Sequence, residues 1–177
     1  MVNRRELAQY FNKLNFRTGA EIGTEEGRYS KILCEEIPGV KLFCVDLWER
    51  DPTHDPTPYE IAKKTLEPYD CKLIKGYSMD VVKEFDDGSL DFVYIDANHY
   101  FDYVMEDIIH WSRKVRKGGI VSGHDYFVTK KKESSLSVVE AVDAYAKFYN
   151  LEVNVIPRDE TAFRYSDKKP NWWWWKI

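Results

Sequence analysis

The chain contains no apolar run that approaches the roughly 20 residues needed to cross a lipid bilayer. Its first residues, Met1 to Glu6, lead into an amphipathic pattern and not into the apolar centre of a secretion signal. We therefore expect a cytoplasmic protein that is neither exported nor inserted into a membrane.

Cysteine is also scarce, and basic residues do not outnumber acidic ones. The three cysteines, Cys34, Cys44 and Cys71, are odd in number, widely spaced and embedded in apolar patterns, which is typical of reduced thiols. With 26 basic and 30 acidic residues the net charge is -4, so the chain lacks the broad basic surface of a nucleic-acid-binding protein. We expect no nucleic-acid partner.

Repeats, low-complexity tracts and linkers are absent as well, and 177 residues suffice for one well-buried core. We predict a single domain over residues 1–177. The apolar spacing after Asn3 predicts a capped N-terminal helix, within residues 1–18, that packs on the edge of the core.

Further along the chain, the apolar pattern alternates between the periods of strands and helices. Such alternation implies a mostly parallel sheet with helices on both faces and right-handed crossovers. The predicted fold class is therefore α/β, a Rossmann-like three-layer sandwich around a seven-stranded sheet. The predicted strands are residues 20–23, 41–47, 71–75, 90–97, 120–123 and 151–156 and one in the tail, and the fourth crossover helix is expected to run through Val115 to a basic end at Lys117 before Gly118.

A glycine turn, residues 23–27, follows the first predicted strand. A strand, a glycine turn, a helix and a second strand that ends on a carboxylate, Asp46, form half of a nucleoside-binding site. Glu25 and Glu26 would repel a pyrophosphate at the start of the helix. Glu21 would suit an ammonium or sulfonium, and Asp46 the hydroxyls of an unphosphorylated ribose. The pattern favours S-adenosylmethionine over a nicotinamide dinucleotide.

Polar side chains also follow the fourth and fifth predicted strands. Asp96 and His99 come after one strand, and His124 and Asp125 after the other. Adjacent parallel strands lie about 4.8 Å apart, so Asp96, His124 and Asp125 could converge on one ion, with His99 in reach. The structural alternatives are an N-terminal cap of the next helix for Asp96 and a hydrogen-bonded surface histidine for His99.

Together these elements resemble the class I S-adenosylmethionine-dependent methyltransferases, and within them the branch that contains metal-dependent sugar and small-molecule O-methyltransferases. The resemblance covers nearly the whole chain. It rests on four elements in order and at crossover spacing, which are residues 21–27 with Ser30, residues 45–48, residues 95–99 and residues 118–126.

The resemblance implies a pocket for S-adenosylmethionine. Its methionine end would be shaped by one set of residues, Asp46 would bind the ribose hydroxyls, and Leu47 or Trp48 would pack on the adenine. Asp96 is assigned to the cofactor pocket, to the metal site and, together with His99, to the catalytic residues. The residues assigned to the methionine end are Glu21, Gly23, Gly27 and Ser30, and those assigned to the other side of the adenine are Gly76, Tyr77 and Ser78.

The resemblance also implies that Asp96 and Asp125 hold a divalent metal and that His99, beside Asp96, acts as general base. His124 departs from the pattern, because those relatives usually carry a carboxylate at its position. An imidazole weakens a magnesium site and favours manganese, iron or zinc. The predicted metal ligands are therefore Asp96, His124 and Asp125, with magnesium or manganese left open.

The resemblance implies transfer of a methyl group to a hydroxyl of a small molecule, with sugars as one candidate class and a metal as assistant. Two alternatives stay open, a non-catalytic protein that binds a nucleoside or a partner, and a metal-dependent hydrolase. The acceptor is open, as is whether a homo-oligomer completes the site.

The remaining segments are assigned either a structural role or a place at the rim of the acceptor pocket. The run Trp172 to Trp175 predicts a strand whose alternating indoles pack on both faces of the sheet, in preference to a carbohydrate platform. The loops over residues 50–57 and 127–135 are expected to rim the acceptor pocket. His54 and His110 are expected to be structural.

Overall fold

The computed structural model describes residues 1–49, 57–128, 137–160, 162 and 168–177. The helices in these ranges are α1 (Arg4–Lys13), α2 (Arg28–Glu36), α3 (Pro58–Leu66), α4 (Ser78–Val81), α5 (Phe101–Lys114) and α6 (Val138–Tyr149). The strands are β1 (Thr18–Ile22), β2 (Lys41–Asp46), β3 (Cys71–Lys75), β4 (Leu90–Ile95), β5 (Val115–Gly123), β6 (Asn154–Ile156) and β7 (Asn171–Trp175).

These strands form one seven-stranded sheet in the order β3-β2-β1-β4-β5-β7-β6. The pairs β1–β2, β1–β4, β2–β3 and β4–β5 are parallel, whereas β7 runs antiparallel to β5 and β6. The mostly parallel Rossmann-like sheet is thus confirmed. The strand order reverses between β1 and β4, which is where open α/β sheets form a ligand crevice.

Two apolar clusters cover the two faces of the sheet. On one face, Leu7 and Phe11 of α1 and Leu33 of α2 are fully buried. On the other face, Ile108 and Trp111 of α5 are fully buried. Helices therefore lie on both sides of the sheet, as the alternating pattern predicted.

The N-terminal helix packs against the apolar cluster on one face of the sheet. Asn3 caps α1 by accepting a hydrogen bond from the Glu6 amide at 3.0 Å. Phe11 stacks on Phe92 of the central strand β4, with ring centroids 4.5 Å apart. The apolar stripe of α1 is wide enough to cover the middle of the sheet, and this position brings its first residues close to the crevice.

The boundary between α5 and β5 differs from the prediction. The helix ends at Lys114 and the strand starts directly at Val115, whereas the glycine pair suggested a later start. Val115 is buried and pairs with Leu90, and the register shifts between Leu90 and Phe92. Gly118, with φ +72°, lies inside the irregular strand. The β-branched Val115 is therefore the first residue of β5 that pairs with β4, and a β-bulge accommodates Gly118 and Gly119.

The tryptophan run behaves as its alternation predicts. Trp172 and Trp174 stack on one face of β7 with centroids 4.7 Å apart, and Tyr145 of α6 covers Trp174. Trp173 and Trp175 lie on the other face against Tyr10 of α1. Three of the indoles, Trp172, Trp173 and Trp174, are buried in the core, whereas Trp175 is exposed. Among the described helices, of which α5 with 14 residues is the longest, none is long and apolar enough to cross a bilayer.

Candidate functional site

A cavity of about 630 Å³ opens at the carboxyl ends of β1, β2 and β4, the place where the strand order reverses. Its volume is in the usual range for small-molecule sites, about 300–1,000 Å³. Most of the residues predicted for the site line this cavity. They are Glu21, Gly23, Asp46, Leu47, Gly76, Tyr77, Ser78, Asp96, His99, His124 and Asp125, while Gly27, Ser30 and Trp48 lie behind its wall.

The glycine turn lets two strand ends approach each other. Gly23 has φ +93°, and a Cβ added there would lie 2.1 Å from the carbonyl oxygen of Asp96. A side chain at this position would therefore push β1 away from β4. Gly27, with φ +76°, precedes α2, and an added Cβ would meet Leu66 of α3 at 3.0 Å. The absence of a side chain at Gly27 thus allows α3 to pack closely against the turn.

Two backbone amides of the turn, those of Glu25 and Gly27, bond to other protein groups. Glu25 N–H donates to Asp46 Oδ2, and Gly27 N–H donates to the carbonyl of Thr24, both at 2.8 Å. A pyrophosphate-binding turn offers such amides to the ligand. Arg28 binds the carboxylates of both Glu25 and Glu26, so their repulsion is weaker than the sequence suggested. The case against a dinucleotide therefore rests mainly on the engaged amides.

A buried carboxyl group reaches the cavity from the end of β1. Glu21 is only 2% exposed and accepts a hydrogen bond from the hydroxyl of Ser30, which lies on α2 outside the cavity lining. Burial raises the pKa of Glu21 to about 8, although the Ser30 hydrogen bond opposes the shift. A cationic ligand group would stabilise the ionised form of this carboxyl.

Asp46 at the end of β2 is held in one orientation by two amides. Its Oδ2 accepts from Glu25 N–H and its Oδ1 from Trp48 N–H, each at 2.8 Å. Leu47 faces the cavity and is 43% exposed. Trp48 turns away, packs its indole edge-on against Tyr59, and donates from Nε1 to the carbonyl of Glu25. Of the two residues predicted to pack on the adenine, Leu47 lines the cavity, whereas Trp48 stabilises the glycine turn through its hydrogen bond to Glu25.

A polar network that sequence reasoning missed lies below Ser78. The Ser78 hydroxyl donates to Asp107 Oδ1 at 2.5 Å and accepts from Trp111 Nε1 at 2.7 Å. Asp107 is buried on α5, and burial raises its pKa to about 7. Its position next to Ile108, on the apolar face of an amphipathic helix, was the signal that could have identified it.

The tips of β4 and β5 bring four titratable side chains together. His99 Nε2 lies 3.3 Å from Asp96 Oδ1 and 3.2 Å from Asp125 Oδ2. His124 Nδ1 lies 3.4 Å from Asp96 Oδ2 and 3.5 Å from Asp125 Oδ2. Asp96 does not cap α5, because that helix begins only at Phe101.

The four groups stabilise one another's charges. Burial opposes ionisation of Asp96, but His124 and His99 hold its pKa well below the ordinary value. The hydrogen bond to Asp96 raises the pKa of His99. For His124, burial is outweighed by Asp96 and Asp125, and the pKa rises to about 9. The two carboxylates thus favour the protonated form of both imidazoles, and the imidazoles favour ionisation of the carboxyl groups.

The same cluster fits a divalent metal ion. Asp96, His124 and Asp125 each offer a ligand atom, and these atoms lie within 4.8 Å of one another. The set of two carboxylate oxygens and one imidazole nitrogen suits manganese, iron or zinc better than magnesium. His124 Nε2 is buried and has no hydrogen-bond partner among the described residues.

Parts of the predicted acceptor rim lie outside the described residues. These are residues 50–56, with His54, and residues 129–136. His110 is exposed on α5 and does not line the cavity. Arg4 of α1 also lines the cavity, and the sequence carried no signal for it, because its place follows from how α1 packs.

A family model described as a methyltransferase domain matches residues 20–126. This range covers more than half of the chain and runs from β1 past Asp125, so it includes every residue predicted for the site. No curated protein sequence matches the chain.

Solved structures show the same fold at low sequence identity. An O-methyltransferase from Bacillus cereus, in complex with SAH, has a TM-score of 0.75 and 14% identity, and the match covers 98% of this chain and 80% of that one. The O-methyltransferase TomG from Streptomyces achromogenes, in complex with SAM, has a TM-score of 0.74, 17% identity and coverages of 98% and 80%.

A precorrin-6y C5,15-methyltransferase from Geobacter metallireducens has a TM-score of 0.68 and 15% identity, with coverages of 97% and 87%. Since O-methyltransferases and a C5,15-methyltransferase share this fold, the fold alone does not identify the atom that receives the methyl group. The chain belongs to the methyltransferase domain family and has the class I S-adenosylmethionine-dependent methyltransferase fold, resembling the O-methyltransferase branch.

Proposed function

We propose that this protein transfers the methyl group of S-adenosylmethionine to a hydroxyl of a small molecule, with His99 as the general base. One observation carries the proposal. The groups suited to the cofactor, Glu21 and Asp46, and the acid–base cluster around His99 line the same cavity. A methyl donor and an acceptor hydroxyl bound in this cavity would lie next to each other.

The chemistry of the cavity supports a cofactor that carries a positive charge and no phosphate. The lining contains seven acidic side chains and two arginines, and this excess of acidic groups favours a sulfonium over phosphate groups. The excess of charge is smaller than the count, because Arg28 binds Glu25 and burial raises the pKa of Glu21 and Asp107. Asp46 retains oxygen lone pairs for a ribose diol, and Leu47 offers an exposed apolar surface to a base.

In the proposed reaction, the acceptor oxygen attacks the sulfonium methyl in line, the new O–C bond forms, and the C–S bond breaks with its electrons going to sulfur. The acceptor's proton passes to the neutral imidazole of His99, and Asp96 and Asp125, which contact its Nε2, then stabilise the imidazolium. Alignment of two reactants supplies about 7–11 kcal/mol, and a positioned base about 10² to 10⁴ in rate.

We propose that Asp96, His124 and Asp125 hold a divalent ion beside this position. When bound, such an ion lowers the pKa of an oxygen ligand and helps to orient it. The carboxylates also serve without metal, because they hold His99 in place through contacts of 3.3 and 3.2 Å.

The acceptor in this proposal is a small molecule, and sugars are one candidate class. The acceptor end is polar, with Asn98, His99 and Asp125, which supports a ligand that carries several hydroxyls. The proposal includes a cytoplasmic setting, which is supported by the odd number of cysteines and by their wide spacing in apolar patterns.

The decisive experiment has two stages. Calorimetry should show binding of S-adenosylmethionine and S-adenosylhomocysteine but not of NAD, and Asp46→Ala should weaken that binding. Transfer of a labelled methyl group to a panel of sugars and phenols should then identify the acceptor. No cofactor binding would reject the proposal. Binding without transfer to any acceptor would favour a non-catalytic protein, and a metal-dependent hydrolysis that survives Asp46→Ala would favour a hydrolase.

A further inference from the structure

The first residue of α1 lines the cavity, although it lies outside the part of the chain that the family model matches. Arg4 reaches the cavity at the end that contains Glu21 and Tyr29. Its placement depends on α1 lying across the face of the sheet, with Phe11 stacked on Phe92. The function proposed above makes no use of this residue.

The position of Arg4 is defined by aromatic side chains. The hydroxyl of Tyr29 donates a hydrogen bond to the main-chain oxygen of Arg4 at 3.1 Å. The guanidinium carbon of Arg4 lies 4.9 Å from the centroid of the Tyr29 ring, a cation–π contact. The side chain of Arg4 also interacts with Tyr94 of β4. Arg4 is therefore held at the wall of the cavity.

Arg4 and Glu21 place opposite charges at the same end of the cavity. The two residues are close enough for the positive charge of Arg4 to favour ionisation of Glu21. Arg28 is the other arginine of the lining, and it binds Glu25 and Glu26. A ligand that brings both an ammonium and a carboxylate to this end would meet a complementary group for each.

We propose that Arg4 binds the α-carboxylate of the cofactor's methionine moiety while Glu21 binds its α-ammonium. This inference rests on the proposed function, since it assumes S-adenosylmethionine as the cofactor. The planar guanidinium suits a carboxylate because it can donate two parallel hydrogen bonds. Helix α1 is then part of the cofactor site as well as a cover for the core.

The test compares ligands that differ by single groups. S-adenosylhomocysteine carries both the carboxylate and the ammonium, its decarboxylated analogue carries only the ammonium, and 5′-methylthioadenosine carries neither. We expect Arg4→Gln to weaken S-adenosylhomocysteine about tenfold or more while changing the affinity for the other two ligands by about twofold at most. Glu21→Gln should weaken the first two ligands and leave methylthioadenosine unaffected.

Arg5→Gln is the matched control, because Arg5 is exposed, binds Glu35 and Glu36, and does not line the cavity. It should leave all three affinities unchanged, and a melting curve of each variant confirms that the protein is folded. Equal losses for S-adenosylhomocysteine and its decarboxylated analogue in Arg4→Gln, or no loss for either, would overturn the assignment while leaving the proposed function intact. Absence of S-adenosylhomocysteine binding to the unmodified protein would reject both.

Discussion

The hydroxyl of Ser30 donates a hydrogen bond to the carboxyl group of Glu21, and both residues are buried beneath the cavity. The contact ties the first turn of α2 to the end of β1. It holds a titratable group where burial raises the pKa to about 8. Such a carboxyl is useful for binding a cation and unfavourable for folding, because the charged form loses its hydration.

Glu21→Gln should therefore stabilise the fold and weaken cofactor binding. The carboxyl has a pKa of about 4.5 in the unfolded chain and about 8 in the folded protein, so the unfolded state releases its proton first as pH rises. The unmodified protein should lose stability as the pH rises between these two pKa values, and near pH 8 the variant should be more stable by roughly 1–3 kcal/mol.

Urea unfolding of both proteins near pH 5 and pH 8 measures the difference in the free energy of unfolding, and Glu67→Gln, at an exposed site, serves as control. An advantage of the variant that is the same at both pH values would contradict the burial argument.

His99→Ala should lower turnover about 10²-fold or more, because a positioned base contributes about 10² to 10⁴ in rate. The affinity for S-adenosylhomocysteine should stay nearly unchanged, since His99 lies among the acceptor-side residues. Single-turnover assays and calorimetry separate the two effects. His110→Ala, on the exposed side of α5, is the control and should behave like the unmodified protein. Full turnover in His99→Ala would assign the proton transfer to another group.

Manganese should bind to the cluster at the tips of β4 and β5 more tightly than magnesium, because His124 supplies nitrogen. Asp125→Asn should abolish this binding, whereas Asp102→Asn, at an exposed position on α5, should not. Titration followed by electron paramagnetic resonance reports the bound manganese directly. If no ion binds, the proposed metal site is wrong, and the histidine–carboxylate pairs function without a metal.

Two glycine substitutions separate backbone strain from steric conflict. Gly23 and Gly39 both have positive φ, +93° and +75°, but only Gly23 has an atom in the way, the carbonyl oxygen of Asp96 at 2.1 Å from an added Cβ. Gly39→Ala should cost about 1–2 kcal/mol of stability. Gly23→Ala should cost more and also lower cofactor affinity, because it pushes β1 from β4. Denaturant unfolding with calorimetry checks both, and similar costs would show that the strand ends move apart easily.

The tryptophan run should contribute to stability and not to binding. Trp174 is 1% exposed and stacked on Trp172, so Trp174→Ala should cost about 3–5 kcal/mol. Trp175 is 37% exposed, and Trp175→Ala should cost clearly less. Neither variant, while folded, should change the affinity for S-adenosylhomocysteine. A loss of affinity for S-adenosylhomocysteine in Trp175→Ala would contradict this prediction and indicate that the tryptophan run contributes to ligand binding.

Much of the fold could be predicted because local periodicity reports which residues face the core. Strands β2, β3 and β4 begin at the predicted residues Lys41, Cys71 and Leu90. The start of β5 was missed because Gly118 suggests a break, whereas the pairing of Val115 with Leu90 keeps the chain in the sheet. That pairing joins residues far apart in sequence, which local patterns do not report.

The sequence by itself determined the order of the elements and, to within one or two residues, where β1, β2, β4 and β5 end, so Asp46, Asp96 and His124 could be placed at one edge of the sheet. This was possible because in parallel α/β folds chain order and apolar period dictate where strands stop. Only the tertiary structure decided that Trp48 turns away from the cavity and that Arg4 reaches it. Those outcomes depend on the direction of a side chain and on the packing of α1 over a distant strand.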